Sequence, residues 1–347
     1  MKTIFLSILF LCGLCLQAQA QENLGERSFK EMDATAFCSY IDFHPEDYLL
    51  DNNWQILCAF REPHPLSYLD SLGIRYTKSQ IQLLKIGGML ASENKRWHTQ
   101  IPIFDQGQTR AIRHETRAFA DSLYRIIKPD CLALAEEIAD EGYQANAYSI
   151  FFSYVLDGRM WDKLCSFDQL ERHATWSGLY WVMYEPRKNG KIGTNGYGGL
   201  FMNWSDQQAY WPSQKALSGF SECVQKNRLP IQDKELAAQL VKYGYIDKEG
   251  NVTLPVFHAG ADNRLNRLTD SILTPLADAV KAYMPRFASE YGIKDEASAS
   301  VIFYHELMWD IFDVLNEQGI IHRPAILNGE ETGMEHLRNI SFIVLEK

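Results

Sequence analysis

Two stretches of the chain, residues 77–104 and 233–257, carry the same order of apolar and polar positions. Each begins with a short helical pattern, passes through a glycine into a polar segment, and ends on an apolar-Pro-apolar-Phe sequence. A longer helical pattern follows in both cases, so the chain predicts a short helix, a β-hairpin and a long helix twice over. The corresponding positions are Gly88 and Gly244, and Pro102 and Pro255.

The two copies also close on similar sequences. Residues 149–152, Ser-Ile-Phe-Phe, lead to Met-Trp-Asp at 160–162, and residues 300–303, Ser-Val-Ile-Phe, lead to Met-Trp-Asp at 308–310. Glycine, Pro-Phe and Met-Trp-Asp therefore recur in the same order, and this order predicts an internal duplication.

The front of each copy, over about residues 65–130 and 215–285, resembles a winged-helix domain: a short helix pair, a hairpin wing and a long helix. Many winged-helix domains place their second helix in the major groove of DNA, and the resemblance implies that this helix would be 78–87 or 234–243. Neither helix offers a basic surface, so DNA binding is a poor interpretation. Their charged residues include Lys78 and Lys85 in the first, and Lys234, Glu235 and Lys242 in the second.

The predicted fold is therefore α+β and helix-rich, with two pseudo-equivalent winged-helix-like halves joined by an aromatic β-hairpin insert. The predicted segments are a signal peptide at 1–20, an irregular N-terminal segment at 21–60, a first repeat at 61–165, the insert at 166–213, and a second repeat with a closing strand at 214–347.

The insert is exceptionally aromatic. If the rings are exposed, they could stack on sugar faces or grip a peptide; if they are buried, they form the core of the joining sheet. The core interpretation is favoured because so many rings in one small sheet cannot all face water. The rings assigned to ligand binding under the first interpretation are Trp176, Tyr180, Trp181, Tyr197 and Trp204.

The candidate catalytic group is His305, Glu306 and Asp310. Glu306 and Asp310 share one face of a predicted helix, and two neighbouring carboxylates can raise one pKa for acid–base work, with His305 as a base. The alternative is a polar helix edge with His305 beside a core tryptophan, Trp309. Common hydrolase and phosphate-binding motifs are absent from the sequence, and it predicts neither a metal site nor a cofactor.

The first twenty residues have the composition of a cleavable secretory signal. Lys2 precedes an apolar run from Ile4 to Leu16, and Ala18-Gln19-Ala20 supplies the small residues of a cleavage site. The run is too short to span a bilayer, which takes about 20 apolar residues. We therefore expect a periplasmic or secreted protein that begins at Gln21.

The net negative charge of the chain limits the classes of partner that it can bind. The formal charge is −10, and because Lys2 is the only charged residue in 1–20, cleavage would make it −11. Such a charge disfavours nucleic acid, and no later segment is apolar enough for a transmembrane helix. The remaining cysteines predict either one bridge, Cys38–Cys58, or small buried thiols throughout. The sequence favours a non-catalytic envelope binding protein for an envelope protein, a peptide or a glycan; the alternative is an extracytoplasmic hydrolase near His305 and Glu306.

Overall fold

The computed structural model describes residues 24–188 and 191–345. The predicted signal peptide at 1–20 lies outside the described residues. Contacts within the chain divide it into two units. In its described part, the first unit comprises residues 24–115, 166–186 and 286–302, and the second comprises 116–165, 187–285 without 189 and 190, and 303–345.

Helices dominate both units. The α-helices used below are α1 (Asn53–Ala59), α2 (Tyr68–Ser71), α3 (Lys78–Ile86), α4 (Gln106–Asp140), α5 (Trp161–Leu164), α6 (Gln214–Gln225), α7 (Lys234–Lys242), α8 (Arg264–Tyr291) and α9 (Glu296–Glu317). A short α-helical turn, Ala147–Ser149, leads into a π-helix over Ile150–Arg159. Short 3₁₀ helices cover Leu24–Glu26, Phe29–Glu31, Pro45–Tyr48, Gln144–Asn146, Phe167–Gln169, Ala325–Asn328 and Met334–Ile340.

The strands form three small sheets. They are β1 (Asp33–Ile41), β2 (His64–Pro65), β3 (Leu90–Glu93), β4 (Arg96–Thr99), β5 (Trp176–Met183), β6 (Ile192–Tyr197), β7 (Leu200–Ser205), β8 (Val256–His258) and β9 (Ser341–Leu345). The sheet orders are β1-β5, β2-β4-β3 and β6-β7-β9-β8. The predicted helix-rich α+β class is confirmed, whereas the winged-helix-like halves are not confirmed. Among the described residues, no helix combines the length and apolar character needed to cross a membrane.

In the first unit, β1 and β5 pair antiparallel, with Asp33 opposite Met183. Ile103 adds a parallel bridge to Val182 on the other side of β5. The core that covers this sheet includes Trp54, Phe60, Leu84 and Trp176. The segment predicted to be irregular, 21–60, thus contains the strand β1 and the helix α1. The strand was not predicted because its partner, β5, lies far along the chain.

In the second unit, β9 lies between β7, which it meets antiparallel, and β8, which it meets in parallel. It lies within residues 214–347, the segment for which the sequence predicts a closing strand. The predicted insert is divided: β5 pairs with β1 in the first unit, while β6 and β7 join the sheet of the second. The aromatic segment therefore does not form one joining sheet.

Some local hydrogen bonds and turns recur at corresponding positions of the two predicted copies, although the two strands that follow α3 have only the isolated bridge Ile246–Val252 as their counterpart after α7. Met89 N donates to Leu84 O and Tyr245 N donates to Leu240 O, each at 2.9 Å, after α3 and α7 respectively. Gly88 and Gly244 have φ values of 71° and 70°, which glycine adopts readily. The carbonyls of the two prolines each accept a backbone hydrogen bond from a residue in a strand. Val182 N donates to Pro102 O at 3.0 Å, and Ile343 N donates to Pro255 O at 2.9 Å.

Candidate functional site

The carboxylates predicted for acid–base chemistry are held by one arginine. Arg187 Nη2 lies 2.8 Å from Glu306 Oε2, and Arg187 Nη1 lies 2.9 Å from Asp310 Oδ1. Arg187 also donates through Nε to Glu306 Oε2 at 3.2 Å and through Nη2 to Glu306 O at 2.9 Å. The Glu306 and Asp310 side chains are only 6% and 8% exposed, so this is a buried ion-pair group.

The charged residues of this ion-pair group shift one another's pKa values. Burial acts to lower the pKa of Arg187, but attraction to Glu306 and Asp310 outweighs it and raises that pKa. Burial raises the pKa of the neighbouring Asp313, opposed by the charge of Arg187 and reinforced by that of Asp310. Two carboxylates committed to a fixed guanidinium are poorly suited to exchanging protons with a substrate. The structure thus favours an ion-pair role for Glu306 and Asp310.

His305 lies beside a different tryptophan from the one expected. Its ring contacts Trp161, with centroids 5.0 Å apart, whereas Trp309 packs against Phe152 at 5.0 Å. Trp161 also meets Tyr304 edge-on at 5.1 Å. The imidazole therefore lies beside the half-buried Trp161, whereas the alternative placed it beside Trp309 as a core tryptophan, and Trp309 is itself half-buried.

Three of the five rings predicted to bind ligand belong to the core of the first unit. Trp176, Tyr180 and Trp181 are at most 1% exposed, and the Trp176 indole N–H donates to Gly87 O at 2.8 Å. A ring with no exposed face cannot stack on a ligand, so the ligand interpretation is corrected for these three residues. Packing on β5 accounts for this burial, since Trp176 and Tyr180 belong to the same buried cluster as the apolar side chains of the helices α1 and α3.

The other two rings, Tyr197 and Trp204, lie half-buried in the second unit. The Trp204 ring covers Gly193, its cross-strand partner, where an added Cβ would approach the indole to 2.5 Å. Trp211 lies next to Trp204, with ring centroids 6.1 Å apart. Tyr210 and Trp211 are 40% and 52% exposed. We call Trp204, Tyr210 and Trp211 the aromatic platform.

The sequence interpretation did not assign Tyr210 and Trp211 to the ligand set. The available signal was their position after β7, in a segment rich in polar residues that ends at Pro212, where rings have no sheet to cover them. Asp206 and Gln207, both exposed, flank the platform in sequence and supply hydrogen-bonding groups.

The π-helix carries a further polar feature that was not predicted from the sequence. π-Helical turns are rare and occur frequently at functional sites. Here Gly158 permits the turn, since a Cβ at this position would lie 2.6 Å from Ser153 O. Asp157 accepts a hydrogen bond from Trp161 Nε1 at 3.3 Å and another from Thr194. Burial raises the pKa of Asp157 to about 6, although both hydrogen bonds act to lower it.

The first unit also contains an open cavity of about 780 Å³. His64 and Tyr68 line it as a stacked pair, with centroids 3.9 Å apart. Arg61, which also lines it, donates to Gln108 Oε1 at 2.8 Å and pairs with Asp105 at 3.4 Å. The volume suits a small ligand, but this guanidinium is already engaged by the protein itself.

Metal-binding chemistry has no visible basis in the part of the chain that the structure describes, which holds no cluster of three or more His, Cys, Asp or Glu residues suited to a metal ion. No disulfide bond joins any of its five cysteines, and this includes Cys38 and Cys58. Comparison with protein families, with curated proteins and with solved structures finds no match to this chain.

Proposed function

We propose that this chain is a non-catalytic binding protein that acts outside the cytoplasm and holds a saccharide on the aromatic platform. The observation that carries the proposal is the exposure of Trp211 beside the half-buried Trp204, together with the exposed Tyr210, which precedes Trp211 in the chain. Flat indole and phenol rings present an apolar face on which the C–H face of a sugar ring can stack, and their polar atoms remain free for water.

The surroundings of the platform support a polar ligand. Asp206 and Gln207 are exposed, lie between Trp204 and Tyr210 in the chain, and offer acceptors and donors for sugar hydroxyls. Gln208 is buried and donates through Nε2 to Tyr210 O at 2.5 Å, which fixes the backbone that carries the exposed rings. A platform held in this way loses little conformational entropy when a ligand binds.

The ion-pair group supports a non-catalytic function. Glu306 and Asp310 were the carboxylates for the hydrolase alternative, and Arg187 engages both of them at less than 3 Å. In the geometry of the described residues, these carboxylates are suited to a buried ion pair and not to proton transfer.

Replacement of Trp211 by alanine is expected to weaken saccharide binding by at least about tenfold, because an exposed tryptophan at the centre of a binding surface typically contributes about 2 kcal/mol or more. Ligands would be identified by screening the mature protein on a glycan array, and affinities would be measured by titration calorimetry. Tyr210→Ala should weaken binding in the same direction.

Phe43→Ala is the matched control, because Phe43 is an exposed ring of the first unit with 57% exposure against 52% for Trp211. Its affinity should equal that of the unmodified protein. Absence of any glycan binding, binding of peptides alone, or an unchanged affinity in Trp211→Ala would each contradict the saccharide assignment.

Export is the other half of the proposal and rests on the pattern of residues 1–20. When the full-length chain is expressed in a Gram-negative host, its mature form should begin at or near Gln21 and appear in the periplasmic or extracellular fraction. N-terminal sequencing and intact-mass measurement test this directly, with an Ile8→Arg variant in the apolar run as the export-blocked control. A mature protein that retains Met1 would contradict export.

A further inference from the structure

The open cavity of the first unit is lined by apolar and polar groups together. Its volume, about 780 Å³, lies in the range of sites that hold small molecules. On α1, the lining residues are Gln55, Cys58 and Ala59, which share one face because they are three and four positions apart. Leu72 and Ile74 add apolar surface, and Leu72 is 48% exposed. The cavity can therefore accept an apolar group as well as a polar one.

The segment that follows α2 forms part of the cavity lining and is held by hydrogen bonds. Gly73 follows the end of this helix with a φ of 69°, which glycine adopts readily, and Ile74 N donates to Leu69 O at 2.9 Å. The next residue is fixed from α1, because Asn52 Nδ2 donates to Arg75 O at 2.7 Å. A ligand therefore binds to a backbone that is already ordered, which reduces the entropy lost on binding.

Two charged side chains of the lining remain available to a ligand. Arg75 and Glu62 are exposed, and neither side chain takes part in an ion pair or a hydrogen bond with the described residues. The two other charged residues of the lining, Arg61 and Glu26, have partners in the protein. The cavity thus offers one positive and one negative charge that a ligand can pair, and a ligand with both a carboxylate and an ammonium group complements them.

A stacked pair of rings completes the lining. The His64 and Tyr68 rings lie 3.9 Å apart, with their planes within 22° of each other. Both residues are half-buried, and their side chains have no hydrogen-bond partner among the described residues. The rings offer apolar surface to an aromatic or branched group of a ligand, and the Tyr68 hydroxyl can donate to or accept from a polar one.

We propose that this cavity binds a small zwitterion of amino-acid chemistry, either a free amino acid or a dipeptide with an apolar side chain. Its carboxylate pairs with Arg75, its ammonium group pairs with Glu62, and its side chain packs on the rings and apolar residues of the lining. A ligand with only one of the two charges leaves one of these side chains unpaired. The site belongs to the first unit and does not rest on the saccharide site, which belongs to the second.

Titration calorimetry of the mature protein tests the proposal with two probes, phenylalanine and the dipeptide alanyl-phenylalanine. At least one of them should bind, with one molecule per chain, and the comparison shows whether the cavity takes an amino acid or a dipeptide. Amidating the carboxylate of the probe that binds should weaken its binding by about fivefold, and acetylating its amino group should do the same, because each change removes one exposed charge pair.

Variants assign each charge to its partner. Arg75→Gln should weaken binding of the free probe by about fivefold and leave binding of the amidated probe unchanged, because the amide has no charge for Arg75 to pair. Glu62→Gln should behave in the same way toward the acetylated probe. Lys78→Gln is the matched control, since Lys78 is an exposed cation of the same unit outside the cavity lining. This control and Trp211→Ala should both keep the original affinity for the probe, so that failure here is distinct from failure of the saccharide assignment.

Three results would overturn the zwitterion site. The first is the absence of binding by both probes at millimolar concentration, and the second is an Arg75→Gln variant that weakens the free and the amidated probe equally. The third needs no variant and therefore decides the matter even if a substituted chain fails to fold: amidated and acetylated probes that bind the unmodified protein as tightly as the free probe.

Discussion

Replacement of Arg187 by alanine is expected to lower the free energy of unfolding by about 3–5 kcal/mol. The substitution would leave Glu306 and Asp310 buried together without their cation, and Asp310 Oδ2 already has no hydrogen-bond partner among the described residues. The loss arises from the two uncompensated charges and not from the removed contacts alone. Urea unfolding followed by circular dichroism would measure it.

Arg117→Ala provides the control, since Arg117 pairs with Glu317 at 2.7 Å on an exposed part of the same unit. Its loss should cost no more than about 1 kcal/mol. Replacing Arg187, Glu306 and Asp310 together by Met, Leu and Leu should restore much of the stability. Equal losses in the two single variants would contradict the buried ion-pair assignment.

Trp176→Ala is expected to cost a similar amount, about 3–5 kcal/mol, because the substitution opens a cavity in the first unit and leaves Gly87 O without its indole donor. Thermal unfolding would show the loss as a lower Tm. Where the variant remains folded, saccharide affinity should be unchanged, since Trp176 is buried in the first unit and the platform lies in the second.

Trp211→Ala should show the opposite behaviour, with weaker ligand binding and a change in stability within about 0.5 kcal/mol, because Trp211 is largely exposed. The two tryptophans thus separate the core interpretation of the aromatic segment from the ligand interpretation. A Trp176→Ala variant that kept the original Tm and lost saccharide binding would reverse the assignment.

Local features of the fold were readable in the sequence. Thr77 and Gln80 have the spacing of a capping box at a helix start, and the structure has both of its hydrogen bonds. Gln80 N donates to Thr77 Oγ1 at 3.1 Å, and Thr77 N donates to Gln80 Oε1 at 2.9 Å. Such features depend on residues within one turn of each other, so a pattern of a few positions suffices to predict them.

Long-range features were not readable. The pairing of Asp33 with Met183 joins strands that are 150 residues apart, and no local pattern indicates which of several apolar segments will meet. The same applies to Arg187, which lies in a polar stretch of the sequence but donates a hydrogen bond to Glu306 in the structure. Because the partner decides whether a carboxylate is an acid or half of an ion pair, the chemistry of His305, Glu306 and Asp310 could not be resolved before the fold was known.

The position of β9 has a consequence for how the protein matures. Its two partners, β7 and β8, both precede it in the chain, and β9 lies between them in the sheet. The ribosome synthesises the chain from its N-terminus, so β7 and β8 each lack their pairing with β9 until residues 341–345 follow. This sheet is therefore completed only after both β7 and β8 have been synthesised, when residues 341–345 follow them.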